Sequence, residues 1–213
     1  KGQPHFKNVN WGQGWNASQM GFWVWKYYNT HTDASTANGV CTTDAPLFRL
    51  GEILLNYAEA MYELGQFNQY IADETINKLR KRAHVADMVL TDITTDFDPD
   101  RDQDVNPLLW EIRRERRMEL FYEHCRLHDI KRWKKLEYMD NNKYPDTMIG
   151  PWVDMVKEVP AYLDEQYIGK RQVKKEDGTV ITFDGSNASE MVGYYMPTNV
   201  QPRNTFSDRS YCS

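Results

Sequence analysis

Residues 107–133 decide the fold of this chain, and they read PLLWEIRRERRMELFYEHCRLHDIKRW. Asn106 is a favourable N-cap residue and Pro107 suits the first helical position, so the sequence predicts a helix that begins at Pro107. At 100° per residue, one arc of this helix collects the apolar side chains that we expect to face the core, namely Leu108, Leu109, Ile112 and Leu120.

The same arc carries charged residues of both signs. An unpaired charge on a buried face is costly, so we expect these side chains to be paired with partners from the chain downstream. The sequence therefore predicts a structural network with three members in this helical stretch, Arg116, Glu119 and Glu123, and three beyond it, Arg126, Asp129 and Arg132. The alternative is a solvated helix whose alternating charges face water.

A second helical region lies upstream, at residues 47–64, where one narrow strip is polar and almost every other position is apolar or small. Such a pattern predicts a helix that is covered on most sides, with Gly65 as its stop. A second helix is predicted over residues 71–83. Together they form a helix-turn-helix of about 34 residues, the tetratricopeptide length, although an ordinary helical hairpin fits the same pattern.

Three of these segments resemble conserved helices of the SusD/RagB family. Residues 112–120, followed by Glu123, Arg126 and the pairs at 129–130 and 132–133, resemble the late helical signature of the family. Residues 48–60, FRLGEILLNYAEA, resemble its Arg-x-x-Glu-x-Leu-Leu-x-Tyr-Ala-Glu-Ala helix, and residues 76–83 resemble the helix that follows. His124 stands where many members have glycine, and we expect histidine to tolerate a positive φ there at modest cost.

The resemblance implies a function as well as a fold. It implies the C-terminal part of a larger outer-membrane lipoprotein, exposed at the cell surface and held to the membrane only by a lipid anchor on the N-terminal part. Such a protein binds a glycan or oligosaccharide, or another nutrient, and delivers it to a TonB-dependent outer-membrane transporter. The alternative is a helical-repeat scaffold that binds a protein partner and has no ligand of its own.

Composition narrows the classes of function. The chain has 213 residues and a formal net charge of −5, which does not favour nucleic-acid binding, and no run of 18 apolar residues is present. It contains no nucleophile elbow, phosphate-binding glycine-rich loop or zinc-protease motif, so we expect a protein that is not an enzyme. Three cysteines allow at most one disulfide, and their spacing does not choose it.

The expected fold is mainly α, a tetratricopeptide-like helical scaffold with long irregular loops and a small β-hairpin. Residues 1–44 form an aromatic-rich loop and strand segment, with the strand at 21–28. Residues 45–136 form the helical region. Residues 137–213 form an irregular C-terminal segment, whose hairpin at residues 172–183 turns at Asp177-Gly178.

Two tryptophans, Trp11 and Trp15, are the predicted stacking platforms for a sugar. They lie among glycines and amides, where exposure is expected, and an aromatic face suits the apolar C–H face of a pyranose ring. Asn10, Gln13 and Asn16 supply amide donors and acceptors for hydroxyl groups.

A calcium site is the one cofactor hypothesis that the sequence raises. Five residues match positions 1, 3, 5, 7 and 12 of an EF-hand-like loop, namely Asp100, Asp102, Asp104, Asn106 and Glu111. Val105 stands where the sharp turn favours glycine, so an acidic solvated loop is the alternative.

Overall fold

The computed structural model describes Lys26 and residues 46–197. The chain divides into two compact units, one of residues 27–129 and one of residues 1–26 together with 130–213. We call them the helical unit and the sheet unit. The predicted strand at 21–28 lies outside the described residues, except for Lys26.

The described part of the helical unit begins with α1 (Leu50–Glu63), which ends where the sequence predicts. Gly65 has a φ of +68°, and its backbone N–H donates to the carbonyl of Tyr62, as expected of a glycine that ends a helix. One face of α1 is buried, including Leu55 and Ala58. The expectation that α1 is covered on most sides is wrong in this structure, because its opposite stripe is exposed.

The second predicted helix is broken into α2 (Gln69–Glu74) and α3 (Ile76–Ala83). Thr75 interrupts it with φ and ψ of −121° and −87°, and its hydroxyl donates to the carbonyl of Ile71 at 2.5 Å. A side chain that bonds to the backbone in this way competes with regular helix geometry. The helix-turn-helix is therefore present, but the tetratricopeptide repeat is not confirmed.

Residues 107–133 fold as two helices. α4 (Pro107–Glu119) begins at the predicted residue, and the Asn106 side chain accepts a hydrogen bond from the backbone N–H of Leu108. The helix ends before Glu123. Tyr122 and His124 then adopt positive φ angles of 65° and 61°, and α5 (Arg126–Arg132) follows.

The core of the helical unit joins α1, α2, α3 and α4 around one set of buried apolar side chains. The loop after α3 also contributes to it through Met88, which is 1% exposed. Asn77 on α3 fixes this loop because its side-chain amide accepts from the Met88 N–H at 2.6 Å and donates to the Met88 carbonyl at 3.0 Å.

The sheet unit is built on one four-stranded antiparallel sheet rather than on the small hairpin that the sequence predicts. The strands are β1 (Trp152–Asp154), β2 (Arg171–Lys174), β3 (Val180–Thr182) and β4 (Val192–Pro197), in the spatial order β1-β4-β2-β3. A short helix, α6 (Met155–Glu158), follows β1. The core beneath the sheet includes Val153, Met155, Val173, Phe183 and Tyr195.

The predicted hairpin is confirmed as β2 and β3, which pair with Val173 opposite Ile181. Gly178 has a φ of +87°, and the Asp177 carboxylate accepts from the backbone N–H of Thr179, as an Asp-Gly turn requires. Among the described residues, no helix combines the length and the apolar character needed to cross a bilayer.

Candidate functional site

Arg116 and Asp129, two members of the predicted network, form an ion pair. The Arg116 Nε donates to both Asp129 carboxylate oxygens, at 2.9 and 2.8 Å, and the two side chains are 8% and 4% exposed. The Arg116 Nη1 also donates to the Asn56 side chain on α1 at 2.7 Å. This pair therefore connects α4 to α5 and to α1.

Glu119 and Glu123 meet an upstream arginine. The Arg49 Nε donates to both Glu123 carboxylate oxygens at 2.8 Å, and its Nη1 bonds to the Glu119 carboxylate. The second Glu119 oxygen accepts from Arg82 at 2.5 Å. Hydrogen bonding to Glu123, reinforced by Glu119, raises the pKa of Arg49, so this guanidinium remains charged.

A third cluster joins α3 to α4. Arg80 donates from its Nη2 to Glu111 at 2.5 Å and to Glu115 at 2.6 Å, and Arg114 donates to both Glu111 carboxylate oxygens. Glu111 is fully buried, so these guanidinium groups are what make its charge tolerable. The remaining predicted members lie at the two ends of α5, where Arg126 is its first residue and the Arg132 guanidinium lies 4.9 Å from the Trp133 ring centre.

The structure does not bring the five predicted calcium ligands together. The Asn106 side chain caps α4 and Glu111 is engaged by arginines. The carboxylate of Asp102 accepts from the backbone N–H of Asp104. Within the part of the chain that the structure describes, no group of three or more His, Cys, Asp or Glu residues is arranged to hold a metal ion. Calcium binding itself stays a prediction.

The five predicted sugar-binding residues, Trp11, Trp15, Asn10, Gln13 and Asn16, lie outside the described residues. So do Cys41 and Cys212. Cys125 is a free thiol that donates to the Glu123 carbonyl, and burial raises its pKa.

The described residues contain a different aromatic surface, on the sheet unit. The strand register places Trp152 beside Tyr194, Tyr194 beside Lys174, and Lys174 beside Val180. Val153, Tyr195 and Val173 are the strand neighbours of Trp152, Tyr194 and Lys174, and all three are buried in the core. Successive strand residues point to opposite faces. This exposed row therefore runs across all four strands on the side away from the core.

Trp152 and Tyr194 form the aromatic part of the exposed row. Their ring centres are 5.1 Å apart and their planes are nearly perpendicular, at 88°. Trp152 is 43% exposed and Tyr194 is 37% exposed.

A cleft of about 340 Å³ adjoins Tyr194, and its lining also includes Ile149, Lys174, Lys175 and Glu176. Its volume falls within the range of about 300–1,000 Å³ that is typical of small-molecule sites. One wall is fixed, because the Lys175 Nζ donates to the backbone carbonyls of Glu190 at 2.7 Å and Val192 at 2.5 Å. The cleft thus combines an aromatic ring with charged groups of both signs.

The opposite face of the sheet is held by a stacked arginine. The Arg171 guanidinium carbon lies 4.5 and 4.3 Å from the ring centres of Tyr162 and Tyr167, and its Nη1 donates to the Tyr195 hydroxyl at 3.1 Å. Removal from water raises the pKa of both Tyr162 and Tyr195. Tyr195 follows Tyr194 in β4, so this packing holds the strand that carries Tyr194.

Sequence reasoning missed both Arg49 as the partner of Glu119 and the aromatic pair on the sheet. Arg49 lies in residues 48–60 and Glu119 lies in residues 112–120, and both segments resemble the same family. That shared resemblance was the signal that could have suggested the pair. No comparable signal marked Trp152 and Tyr194. Their strands are short and distant in sequence. Tyr194 and Tyr195 are both tyrosines, so residue type does not indicate which one faces the core.

One family model matches most of the chain, including the helical unit and most of the sheet unit. The model of the SusD family matches residues 7–204, a span that includes α1, α4 and the four strands. Comparisons with curated proteins and with solved structures found no match.

Proposed function

Because the chain belongs to the SusD family, we propose that it is part of a cell-surface subunit that binds a glycan and delivers it to a TonB-dependent outer-membrane transporter. The observation that carries this proposal is the family match over residues 7–204. Members of the family are nutrient-binding proteins rather than enzymes. A lipid anchor in the outer membrane is part of the same proposal.

The helical unit acts in this proposal as a tetratricopeptide-like scaffold. Three ion-pair clusters join α4 to its neighbours, through Arg49, Arg80 and Arg116. All three guanidinium groups are committed to carboxylates inside the unit, which supports an architectural role. Breaking a buried pair of this kind costs about 3–5 kcal/mol, so the network specifies how the motif helices meet.

Trp11 and Trp15 remain the proposed sugar-stacking residues of the N-terminal segment, with Asn10, Gln13 and Asn16 as hydroxyl partners. Aromatic rings stack on the apolar faces of pyranose rings, and side-chain amides both donate to and accept from hydroxyl groups. These residues would bind a glycan through stacking and hydrogen bonds alone, with no covalent step.

The test is a titration of the chain with defined oligosaccharides, namely maltohexaose, cellohexaose, xylohexaose and a galacturonate hexamer, followed by tryptophan fluorescence and calorimetry. We expect saturable binding of at least one of them. Trp11→Ala and Trp15→Ala should weaken that binding at an unchanged melting temperature, whereas Trp110→Phe, placed in the helical unit, should not. Absence of heat and of quenching with every oligosaccharide would contradict the proposal.

A protein-docking role is the second candidate function, and one feature of α1 favours it. Leu50, Ile53, Tyr57 and Leu64 follow helical spacing along one stripe and are 70%, 55%, 47% and 66% exposed. An apolar stripe of this kind is what a partner helix or groove recognises. Ile53→Glu with Tyr57→Glu should leave oligosaccharide affinity unchanged. If the stripe is a docking face, the same variant should lose co-purification with the transporter.

A further inference from the structure

We propose that the exposed row of the sheet unit, with Trp152 and Tyr194 as its aromatic end, is a second saccharide-binding surface. The inference rests on the proposed glycan-binding function and assigns it an additional contact site, distant in sequence from Trp11 and Trp15. Its ligand is a short segment of pyranose units that stacks on the aromatic pair and enters the adjoining cleft.

The ring geometry leaves aromatic surface available. In a pair with an interplanar angle of 88°, the ring that contributes its edge keeps both of its faces clear of its partner. Trp152 is 43% exposed and Tyr194 is 37% exposed, so each residue keeps part of its surface in contact with water. Displacing water from an aromatic face by the apolar C–H face of a sugar is favourable.

The cleft supplies the polar half of the site. Lys175 lines the cleft, and two of its three ammonium N–H groups donate to backbone carbonyls, so the third can donate to a hydroxyl oxygen. Glu176 lines it as well, and its carboxylate can accept hydrogen bonds from hydroxyl groups. Aromatic surface beside one donor group and one acceptor group matches a pyranose, which has apolar faces and a polar rim.

The site is rigid before any ligand arrives, which lowers the entropic cost of binding. Lys175, the first residue after β2, donates to the carbonyl groups of Glu190 and Val192, and Gly193 lets the strands approach closely. A Cβ at Gly193 would lie 2.7 Å from the Lys174 carbonyl oxygen. The strand that bears Tyr194 therefore cannot move away from the strand that bears Lys174 without loss of this packing.

The alternative hypothesis is that Trp152 and Tyr194 only stabilise the sheet and bind no ligand. Cross-strand aromatic pairs stabilise sheets by about 0.2–1 kcal/mol, and that contribution needs no ligand. The adjoining cleft and its charged lining are not explained by sheet stability. The two readings separate experimentally, because only a binding surface makes the Trp152 environment respond to a saccharide.

The experiment uses fluorine NMR on the whole chain labelled with 5-fluorotryptophan. The chain has seven tryptophans, and Trp152→Phe identifies the Trp152 resonance by its loss. The probes are maltohexaose, cellohexaose, xylohexaose and a galacturonate hexamer. We expect at least one of them to shift the Trp152 resonance in a saturable manner. Tyr194→Ala should then raise the dissociation constant read from that resonance roughly fivefold to tenfold.

Val180→Ala is the matched control, because Val180 lies in the same exposed row but outside the cleft lining. It should leave the dissociation constant unchanged. Shifts confined to other tryptophans would overturn this inference and leave the proposed function standing. No shift of any tryptophan resonance, with no binding heat, would overturn both. A Trp152 shift that Tyr194→Ala does not weaken would overturn the assignment of Tyr194.

Discussion

Arg116 and Asp129 face each other in a nearly enclosed ion pair, with the guanidinium Nε at 2.9 and 2.8 Å from the two carboxylate oxygens. Less than one-tenth of either side chain is exposed. Asp129 lies on α5 and Arg116 on α4, beyond a turn in which Tyr122 and His124 have positive φ angles. The pair therefore determines how the chain continues after α4.

Asp129→Asn should destabilise the helical unit by about 3–5 kcal/mol, because it keeps the shape of the side chain but leaves the buried Arg116 charge uncompensated. Urea unfolding followed by circular dichroism measures this loss. Asp87→Asn is the control, since Asp87 pairs with Lys81 at 3.7 Å and the two side chains are 45% and 66% exposed. The control should cost no more than about 1 kcal/mol. Equal losses in the two variants would contradict a structural role for Asp129.

Glu119→Ala should cost less than Asp129→Asn, about 1–3 kcal/mol, because Arg49 keeps both of its contacts with Glu123 and the Arg82 side chain is already 58% exposed. Glu74→Ala removes an exposed partner of Lys78 and serves as the comparison, with an expected cost below about 0.5 kcal/mol. If Glu119→Ala lowers the free energy of unfolding by less than about 0.5 kcal/mol, the Glu119 carboxylate behaves as a solvent-exposed group, and its structural role is contradicted.

Local chemistry made several parts of the fold predictable. Asn106 and Pro107 marked the start of α4, Gly65 marked the stop of α1, and Asp177-Gly178 marked the hairpin turn. Each of these signals acts within a few residues, where backbone preferences dominate.

The periodicity of the sequence did not predict the contacts between residues that are distant along the chain. The partner of Glu119 is Arg49, which is 70 residues away, whereas the sequence pointed to the nearer residues 126–132. The break at Thr75 depends on one side-chain hydrogen bond within an otherwise regular helical pattern. β1 and β4 have three and six residues and pair across a long separation, so neither shows enough alternation to predict the sheet.

Asn77→Ala should release the loop that follows α3. The amide of this fully buried side chain satisfies both the N–H and the carbonyl of Met88, and a buried polar group left without a partner costs about 1–3 kcal/mol. Hydrogen exchange should show lost protection at the Met88 amide. Gln69→Ala, which removes the acceptor of the Leu90 N–H, should instead deprotect Leu90. Unchanged protection at Met88 in Asn77→Ala would contradict this account of the loop.

The sheet unit should lose stability in alkali through its buried tyrosines. Burial favours neutral Tyr162 and Tyr195, which are 3% and 2% exposed, and raises their pKa above the ordinary value near 10. Their contribution to stability is therefore complete below pH 10 and is lost as the pH rises toward their folded-state pKa. After a jump to pH 11.5, tyrosinate absorbance should show a fast phase from accessible tyrosines and a slow phase that accompanies unfolding. Tyr162→Phe should reduce only the slow amplitude, and a reduced fast amplitude would contradict the buried assignment.

Gly51→Ala tests whether the first turn of α1 is shaped by the ion pair beside it. A Cβ at this position would lie 2.7 Å from both the Arg49 Nη1 and a Glu119 carboxylate oxygen. Replacing a helical glycine by alanine ordinarily stabilises by about 0.5–1 kcal/mol. Here the added methyl group must displace the pair, so we expect Gly51→Ala to be destabilising in the otherwise unchanged chain.

In the Glu119→Ala background only the Arg49 guanidinium remains close to the added methyl group, so Gly51→Ala should there be less destabilising than in the unchanged chain. The measurement is a double-mutant cycle of urea unfolding on the four chains, with the coupling energy as its readout. Ala60→Gly, at an exposed position of the same helix, gives the glycine-to-alanine difference for α1 without a neighbouring ion pair. Equal effects of Gly51→Ala in the two backgrounds would show that the Arg49–Glu119 contact moves aside freely and that Gly51 is not required for it.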